Sequence, residues 1–478
     1  MKEVRTRFAP SPTGFMHIGN LRTGLYAYLF ARANNGKFIL RIEDTDSERE
    51  VPGAVDFIYR TLSAAGITTD EGPLNGGAFA PYVQSERKEI YLRYAKELVA
   101  LGGAYPCFCD KARLESLTDE NGNRKYDKHC LSLSKEEVAL RIAAGESFVI
   151  RQNIPLSEKT AYTDLVYGEI VVDTADLEDN VLLKSDGMPT YNFANVVDDH
   201  LMQISHVIRG TEYLSSTPKY NLIYNSFGWT PPQYIHLPPI MKDAQRKLSK
   251  RYGDANFEDF LAKGYLPHTV INYIALLGWS PKNNEEKFTM DELIALFGVE
   301  GLSRSGSIFD EDKMRWLNGL YIKELSPEDF AKKAAPYYDS SAIKGKYDYD
   351  KFNRLLHTRI DIFGEIPDKV KFITEFGAFD TELFLHKKNK ITYPIAKTAL
   401  EGAISALSAL TDFSETAISD ALILKCEELG LKKGQMFWVV RVGATGQAIT
   451  PGGAIEMLDI LGKQESLERL KFSLGLLL

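Results

Sequence analysis

The N-terminal segment changes from a two-residue to a helical hydrophobic period within a few residues, which restricts the folds open to the chain. Val4, Thr6 and Phe8 alternate as one face of a strand does, and the Pro-Ser-Pro-Thr-Gly turn at 10–14 ends that strand. Apolar residues then recur at helical spacing, and a second strand-like run follows an Asn-Asn-Gly turn. A strand, a helix and a strand in this order predict the opening of a parallel α/β sheet.

The rest of the chain separates into a sheet-forming half and a helical half. Strand-like runs recur up to about residue 237, although the irregular segment 106–152 interrupts them. Beyond residue 252 helical spacing dominates, as in Leu400, Ile404 and Leu407. We therefore predict an α/β domain that is split by an insertion and followed by mostly α-helical domains. The later strand-like runs are 148–151, 170–173, 181–184, 204–208 and 234–237.

Composition excludes fibrous, disordered and membrane-spanning classes but leaves nucleic-acid binding open. Hydrophobic residues make up 44% and charged residues 26% of the 478 residues, as in ordinary globular proteins. No run of about 18 apolar residues occurs, and the N-terminus lacks the apolar stretch of a secretion signal. We expect a soluble, cytoplasmic protein. Because the net charge is −8, a nucleic acid would have to be bound through local basic patches.

Two segments have the residue types of a phosphate site. His17, Gly19 and Asn20 lie at the strand-to-helix turn, where unpaired N–H groups and the positive end of the helix dipole favour a phosphate. The segment 247–251, Lys-Leu-Ser-Lys-Arg, offers three cations and a hydroxyl group after the last strand, which suits a polyphosphate clamp. A helix cap with an unrelated histidine and a solvated surface run are the alternative interpretations of these two segments.

The cysteines suggest a metal site more than a disulfide framework. Four cysteines are too few to cross-link a chain of this length, and Cys107, Cys109 and Cys130 fall within one short segment. Cys426 is far away on a helical stripe and is predicted to be core. The alternative for the cluster is three free thiols in a reduced cytosol.

These segments resemble the signatures of one enzyme family. Residues 17–20 are similar to the HIGH signature, and residues 247–251 to the KMSKS signature, of class I aminoacyl-tRNA synthetases. Asn20 stands where the signature has its last histidine. The flanking stretches RFAPSPTG, LRIEDTD, LLKSDGMPTYNFANVVDDH and VIRGTEYL resemble the glutamyl branch. The resemblance continues through FDEDKMRWLNGLYI, RVGATGQAITPGG and LGKQESLERL, so it covers nearly the whole chain.

The resemblance implies a two-step ligase reaction. Glutamate and ATP, with Mg²⁺, would give glutamyl adenylate, and the 3′-terminal ribose of tRNA(Glu) would then take the glutamyl group. Whether tRNA(Gln) is also charged stays open, and a monomer is expected. The alternatives are a tRNA-binding paralogue without charging activity and an enzyme that glutamylates a modified tRNA base.

The resemblance also implies a domain order. The expected domains are the first half of a Rossmann-like parallel-sheet catalytic domain (1–105), an inserted acceptor-stem-binding α/β domain (106–190), the second catalytic half with the Lys-Leu-Ser-Lys-Arg loop (191–252), a helical domain that contacts the tRNA stem (253–325) and an α-helical anticodon-binding domain (326–478).

Site residues follow from the matching positions. The residues implied for ATP are His17, Gly19, Asn20, Lys247, Ser249, Lys250 and Arg251. The residues implied for glutamate are Arg7, Ala9, Ser11, Glu43, Tyr191, Asn195 and Arg209. Arg7 and Arg209 would pair with the side-chain carboxylate of glutamate, and a guanidinium prefers that carboxylate to the neutral amide of glutamine. Glu43 taken alone could equally be a helix-capping or solvated acid.

Two sets of residues would serve the insertion and the anticodon end. Some family members bind zinc through a Cys-x-Cys pair and a Cys-x-His pair, but this chain has no Cys-x-His. A related pattern fits Cys107, Cys109, Tyr126 and Cys130 as ligands of a structural Zn²⁺, with His129 as the rival fourth ligand. Arg359 lies where the family contacts tRNA bases. The lysine group Lys387, Lys388 and Lys390 is either a basic patch for tRNA or a solvated charge run.

Overall fold

Residues 3–13, 16–46, 51–117, 125–248 and 256–477 are described by the computed structural model. They form two compact units. The first comprises Met1–Phe260 and Pro267–Asp310, and the second comprises Leu261–Leu266 and Glu311–Leu478.

The strands of the described residues are short and all lie in the first unit. They are β1 (Arg5–Phe8), β2 (Lys37–Leu40), β3 (Ala104–Cys107), β4 (Val149–Gln152), β5 (Lys159–Asp164), β6 (Gly168–Asp173), β7 (Val181–Leu183), β8 (His206–Gly210), β9 (Gln233–Leu237), β10 (Ile240–Met241) and β11 (Ser307–Ile308).

The helices of the first unit are α1 (Ile18–Ala33), α2 (Ala54–Ala64), α3 (Lys88–Ala100), α4 (Lys111–Glu115), α5 (Lys135–Ala143), α6 (Tyr191–Leu201), α7 (Thr217–Ser226), α8 (Phe257–Lys263, which ends in the second unit), α9 (Pro267–Leu276) and α10 (Met290–Leu296). Those of the second unit are α11 (Glu311–Lys323), α12 (Pro327–Asp339), α13 (Tyr349–Leu356), α14 (Ile366–Thr374), α15 (Tyr393–Ala409), α16 (Glu415–Leu429), α17 (Lys433–Thr445) and α18 (Ala454–Gly475).

The predicted strand, helix and strand at the N-terminus are confirmed. β1 and β2 pair in parallel from Arg5 opposite Lys37 to Phe8 opposite Leu40, and α1 connects them. The helix ends at the Asn-Asn-Gly turn, where Asn35 has a φ of 51°. All four residues of β1 are buried, so this strand is covered on both faces, as parallel strands commonly are.

A four-stranded sheet in the order β6-β5-β9-β8 positions most of the polar side chains discussed below. β9 pairs in parallel with both β5 and β8, whereas β5 and β6 form an antiparallel pair. Ser205, just before β8, donates its backbone N–H to the carbonyl of Arg5, which places β1 beside β8. A second sheet, β3-β4-β7, is antiparallel and packs against α3, α6 and α7. The first unit is therefore an α/β structure with mixed sheets.

Strand β8 begins two residues later than the predicted run 204–208. Gln203 and Ile204 form the turn that follows α6. The backbone N–H of Ile204 donates to the carbonyl of Asp199, and Gln203 adopts a φ of 55°. A helix end stabilised in this way holds the apolar Ile204 outside the strand.

The second unit is helical, as predicted. Leu400 and Leu407 of α15 and Leu458 of α18 are buried in its core. The helix α18 is kinked at Gly462, whose φ of 75° suits a residue without a side chain. Cys426 of α16 is 2% exposed and is core, as predicted. No helix among the described residues is long and apolar enough to span a membrane.

A buried ion pair joins the first strand to the loop after β2. Both terminal guanidinium nitrogens of Arg5, Nη1 and Nη2, donate to the two carboxylate oxygens of Glu71, at 2.8 and 3.0 Å. The hydroxyl group of Tyr82 also donates to Glu71, at 2.5 Å. Burial alone would raise the pKa of Glu71, but the hydrogen bonds from Arg5 and Tyr82 outweigh burial and lower the pKa. The carboxylate therefore stabilises the fold above its unfolded pKa of about 4.3, and that stabilisation is lost as the pH falls through the folded value.

The Glu71→Gln variant should unfold more easily than the parent and with a weaker pH dependence. Removing Glu71 takes away the carboxylate that is hydrogen-bonded to the buried Arg5 guanidinium and leaves only Glu3 at 3.6 Å, which should lower the free energy of unfolding by about 3 kcal/mol at pH 7. Urea unfolding between pH 3 and 7 measures both effects. The Glu146→Gln variant, which opens the exposed Arg141–Glu146 pair, should cost about 1 kcal/mol or less and serves as the control. Equal losses of unfolding free energy in the Glu71→Gln and Glu146→Gln variants would contradict the stabilising role assigned to the buried Arg5–Glu71 pair.

Candidate active site

The N-terminus of α1 is capped by the side chain of His17. Its Nδ1 accepts a hydrogen bond from the backbone N–H of Gly19 at 3.0 Å. A Cβ atom at Gly19 would lie only 3.2 Å from that nitrogen, so the glycine lets the imidazole ring approach the helix end. Asn20 is exposed in the same first turn. The turn thus presents an imidazole ring, an amide side chain and the positive end of a 16-residue helix.

A tight hairpin carries the second predicted phosphate segment. It runs from β10 through a turn closed by Asp243 and Arg246, and Lys247 then pairs with Met241. Lys247 is exposed. Ser249, Lys250 and Arg251 lie outside the described residues.

A chain of buried charges connects two of the predicted glutamate residues. Arg7 of β1 donates through Nε to Asp199 at 3.1 Å, and Asp199 also accepts from Nη1 of Arg41 at 2.8 Å. The other terminal nitrogen of Arg41 donates to Glu43 at 3.0 Å. All four side chains are at most 6% exposed. Asp199 and Arg41 thereby fix the positions of Arg7 and Glu43.

The two guanidinium groups and the two carboxylates of this buried chain carry opposite charges and stabilise one another. Burial alone would raise the pKa of Asp199, but Arg7 and Arg41 outweigh burial and lower the pKa. Burial raises the pKa of Glu43 although Arg41 and Arg7 oppose it. The two carboxylates therefore differ, because Asp199 contacts two guanidinium groups and Glu43 contacts one.

Arg209 is held in an aromatic pocket at the end of β8. Its guanidinium lies 5.0 Å from the ring centres of Tyr213 and Tyr220 and 5.3 Å from that of Tyr234. Tyr191, the first residue of α6, packs against Tyr213 with a ring separation of 5.3 Å. Cations are attracted to the faces of such rings, so the pocket suits a permanent positive charge.

Three of the predicted glutamate residues, Glu43, Asn195 and Arg209, lie near Tyr191. The pKa of Tyr191 is raised well above its usual value, first by burial and then by the nearby carboxylate of Glu43, whereas Arg209 opposes the increase. Asn195 lies one turn further along α6 and donates to the Tyr191 carbonyl at 2.8 Å. The backbone N–H of Glu43 donates to the carbonyl of Pro10, which connects Glu43 to the segment with Ala9 and Ser11. Ala9 is half-buried and Ser11 is exposed.

The cysteine cluster is compact and includes a tyrosine oxygen. The sulfur atoms of Cys107, Cys109 and Cys130 lie within 4.8 Å of one another. The hydroxyl oxygen of Tyr126 is 3.2 Å from the sulfur of Cys107 and 3.4 Å from that of Cys109. His129 is exposed and does not belong to this group of described residues. Three sulfur atoms and one oxygen atom make up a donor set that Zn²⁺ accepts.

Hydrogen bonds around the cluster suit metal-bound thiolates. The sulfur of Cys107 accepts from Nε of Arg151 at 3.2 Å, and that of Cys130 accepts from the backbone N–H of Phe108 at 3.4 Å. The hydroxyl oxygen of Tyr126 accepts from the backbone N–H of Cys130 at 3.3 Å. Such outer contacts orient metal ligands and stabilise their charge.

Arg359 lies in the second unit, after α13. Its guanidinium is exposed and donates to the carbonyl of Leu355 at 2.9 Å. It lines an open cavity of about 510 Å³ together with Lys369, Lys371 and Phe376. Lys387, Lys388 and Lys390 are also exposed, in the loop before α15.

The sequence prediction omits the supporting side chains of the site. These are Arg41, Asp164, Asp199, Thr217 and His236, all at most 3% exposed. One sequence signal could have found Asp199, because two adjacent acids, Asp198 and Asp199, follow a run of apolar residues inside α6. Acids at such positions are rarely buried unless they are paired. His236 carries no comparable signal.

Two family models together cover most of the chain. Residues 3–316 match the model described as tRNA synthetases class I (E and Q), catalytic domain. Residues 329–474 match the model described as anticodon binding domain.

Full-length relatives and solved structures agree with these matches. The glutamate–tRNA ligase of Clostridium novyi is 55% identical over 473 residues, which cover 98% of this chain and 97% of the relative. That of Clostridium tetani is 51% identical over 476 residues, with 99% and 97% covered. A crystal structure of a glutamate tRNA ligase from Elizabethkingia meningosepticum, in complex with its amino acid, has a TM-score of 0.91 at 34% identity and covers 100% of both chains. The glutamate-tRNA synthetase of Elizabethkingia anophelis gives a TM-score of 0.90 at 34% identity, with 99% of this chain and 100% of that chain covered. The chain therefore belongs to the glutamate–tRNA ligase family of class I aminoacyl-tRNA synthetases.

Proposed function

We propose that the chain activates L-glutamate with ATP and transfers the glutamyl group to the 3′-terminal ribose of tRNA(Glu). The observation that carries this proposal is the buried guanidinium of Arg209, whose side-chain hydrogen-bond partners are both neutral, in a chain whose full-length relatives are glutamate–tRNA ligases. A buried cation without an anionic partner suits a ligand that brings its own carboxylate.

The reaction has two balanced steps. In the first, the α-carboxylate of glutamate attacks the α-phosphorus of ATP, the bond to the bridging oxygen breaks, and pyrophosphate leaves. In the second, a hydroxyl group of the terminal ribose attacks the acyl carbon, AMP leaves with the bonding electron pair, and the hydroxyl proton is released to solvent. The protein has to hold two anions in line and stabilise the charge that develops on the phosphoryl group.

The phosphate-binding roles are assigned to the two signature segments. His17, Gly19 and Asn20 at the N-terminus of α1 would bind ATP, because the positive end of the helix dipole favours phosphate there. Lys247, Ser249, Lys250 and Arg251 would neutralise the phosphates as pyrophosphate forms. Mg²⁺, when bound, shields the charge of the β- and γ-phosphates.

Glutamate needs cations for its carboxylates and an anion for its ammonium group. Arg7 and Arg209 are the proposed partners of the side-chain carboxylate, supported by hydrogen bonds from Tyr191 and Asn195. The residues proposed for the amino-acid end are Ala9, Ser11 and Glu43. Leaving a guanidinium unpaired in a buried pocket costs about 1 to 3 kcal/mol, which would disfavour glutamine.

The remaining roles concern metal and tRNA. We propose that Cys107, Cys109, Tyr126 and Cys130 hold a structural Zn²⁺, which would order an insertion at 106–190 that meets the tRNA acceptor end. Zinc takes part in no step of the reaction proposed here. Arg359 is the proposed contact to anticodon bases. A monomeric state is a further part of this proposal, whereas charging of tRNA(Gln) stays open.

The proposal is tested by charging purified bacterial tRNA(Glu) and tRNA(Gln) with labelled glutamate and ATP. We expect glutamylation of tRNA(Glu), and glutamylation in the parallel assay decides whether tRNA(Gln) is also a substrate. The Lys247→Ala and Lys250→Ala variants should lose about 100- to 1000-fold in kcat, since each removes a cation that faces developing charge.

The matched control is Lys282→Ala, which removes an exposed lysine outside the predicted site. It should charge at the parental rate. Light scattering of the same samples checks the monomer. Absence of charging by well-folded protein would contradict the ligase function and favour a modified tRNA base as substrate or RNA binding without catalysis.

A further inference from the structure

Three buried residues lie side by side across neighbouring strands behind the proposed glutamate pocket. His236 of β9 is the direct partner of Arg209 of β8 in the parallel register. Asp164 ends β5, which pairs with β9 at Tyr234. Asp164 and His236 are 1% and 0% exposed, so water does not reach this pair.

The contacts of Asp164 fix its carboxylate as an acceptor. One oxygen accepts from the backbone N–H groups of Val166 and Tyr167, at 2.9 and 2.8 Å. The other accepts from the backbone N–H of His236 at 3.1 Å and lies 2.7 Å from Nδ1 of the same residue. A carboxylate with this surrounding accepts rather than donates, so Nδ1 of His236 carries the proton.

The tautomer of His236 determines what its other nitrogen can do. With the proton on Nδ1, Nε2 of the neutral ring is an acceptor, and Nε of Arg209 donates to it at 3.2 Å. Burial lowers the pKa of His236, with the charge of Arg209 acting in the same direction and the hydrogen bond to Asp164 opposing both. The ring is therefore neutral where it meets the guanidinium.

This arrangement leaves one edge of Arg209 without a protein partner. Nη2 of Arg209 donates to the hydroxyl oxygen of Thr217 at 2.7 Å, and that hydroxyl group donates to the carbonyl of Tyr213. Two of the five N–H donors are thus used, both by neutral acceptors. Within the described part of the chain, Arg209 forms no ion pair. The other three N–H groups, on Nη1 and Nη2, can donate two parallel hydrogen bonds to the two oxygens of a carboxylate.

The interposed imidazole explains why Asp164 does not neutralise Arg209. A direct Asp164–Arg209 ion pair would satisfy the guanidinium within the protein and compete with a ligand carboxylate. Asp164 instead orients the imidazole ring of His236 through the contact with Nδ1. The ring then offers Arg209 only its neutral Nε2 as an acceptor. Two other buried arginines of this unit, Arg5 and Arg87, contact carboxylates directly.

We propose that His236, held by Asp164 as its Nδ1–H tautomer, is a positioning residue that orients Arg209 toward the side-chain carboxylate of glutamate and thereby sets selectivity against glutamine. This inference rests on the proposed function, because it assigns the ligand of Arg209. It adds His236, Asp164 and Thr217 to the residues on which amino-acid recognition depends.

Steady-state charging by the full-length His236→Leu and His236→Gln variants tests the proposal. Leucine leaves the buried Nε–H of Arg209 without an acceptor, so KM for glutamate should rise about 10- to 100-fold while KM for ATP changes less than about twofold. Glutamine offers an oxygen to Arg209 and an N–H to Asp164, so it should restore most of the loss. The ratio of kcat/KM for glutamate to that for glutamine should fall about tenfold in the leucine variant.

The matched control is His206→Gln, a histidine of the same sheet that contacts Ser205 and Gln233 instead. It should leave every KM unchanged. If the leucine variant does not fold, the isosteric Asp164→Asn variant decides, because an amide in this place opposes the Nδ1–H tautomer and should raise KM for glutamate selectively.

The outcomes separate this proposal from the proposed function. Normal charging by the parent, together with an unchanged KM and unchanged selectivity in the folded variants, would overturn the positioning role alone. Equal effects on KM for ATP and for glutamate, or failure of both His236→Leu and Asp164→Asn to fold, would assign the pair to the fold and also overturn it. Absence of charging by the parent would overturn the proposed function and this inference together.

Discussion

The Arg209→Ala variant should lose about 1000-fold in kcat/KM for glutamate, equivalent to about 4 kcal/mol, as expected when one partner of a buried charge pair is removed. The ligand carboxylate would then enter the aromatic pocket without its cation. Arg209→Lys keeps the charge but has no fork, so most of the loss should persist. Charging kinetics over a range of glutamate concentrations measure both variants.

Stability should change much less than activity. Arg209 donates to the neutral acceptors His236 and Thr217 and forms no ion pair with the described residues, so its removal strands no protein carboxylate. We expect the free energy of unfolding to fall by about 1 to 2 kcal/mol, the cost of two lost hydrogen bonds. The Arg141→Ala variant, which loses an exposed pair, is the control and should charge normally. A loss of stability as large as the loss of activity would show that Arg209 serves the fold instead.

Elemental analysis should find about one zinc per chain, and the Cys107→Ser/Cys109→Ser double variant should lose it. Two of the four proposed ligands are then gone, and the binding energy of a structural zinc is largely folding energy. We expect the segment around β3 and residues 125–133 to become accessible to hydrogen exchange and proteolysis, with a local loss of several kcal/mol. A chelator should produce the same local change in the parent.

Two further comparisons make the zinc test specific. Cys426→Ser replaces the buried cysteine of α16, outside the cluster, and should retain the metal. Tyr126→Phe should weaken zinc retention, whereas His129→Ala should not, because the hydroxyl oxygen of Tyr126 contacts the sulfur atoms and His129 is exposed. Parent protein without zinc, or zinc retained by the double variant, would contradict the proposed site.

Local signals were sufficient for the first sheet and for the helical half. The period change between β1 and α1, and the helical spacing through α15 and α18, depend on neighbours a few residues away, and both predictions are confirmed. Helix α6 was not predicted, and it buries two adjacent acids, Asp198 and Asp199. These acids are tolerated because their partners come from other segments of the chain, Arg87 for Asp198 and both Arg7 and Arg41 for Asp199.

The sequence by itself determined the family, the opening strand, helix and strand, the helical second half and the two signature segments, since all of these depend on residue types at fixed short spacings. Only the tertiary structure decided which charges meet: Arg7 with Asp199 across 192 positions, and Arg209 with His236 across 27. Burial makes such pairings strong and selective, because an ion or hydrogen-bonding group without a partner in the interior is costly. No local sequence pattern predicts these pairings, because the partners become neighbours only when β1, β5, β8 and β9 assemble into sheets.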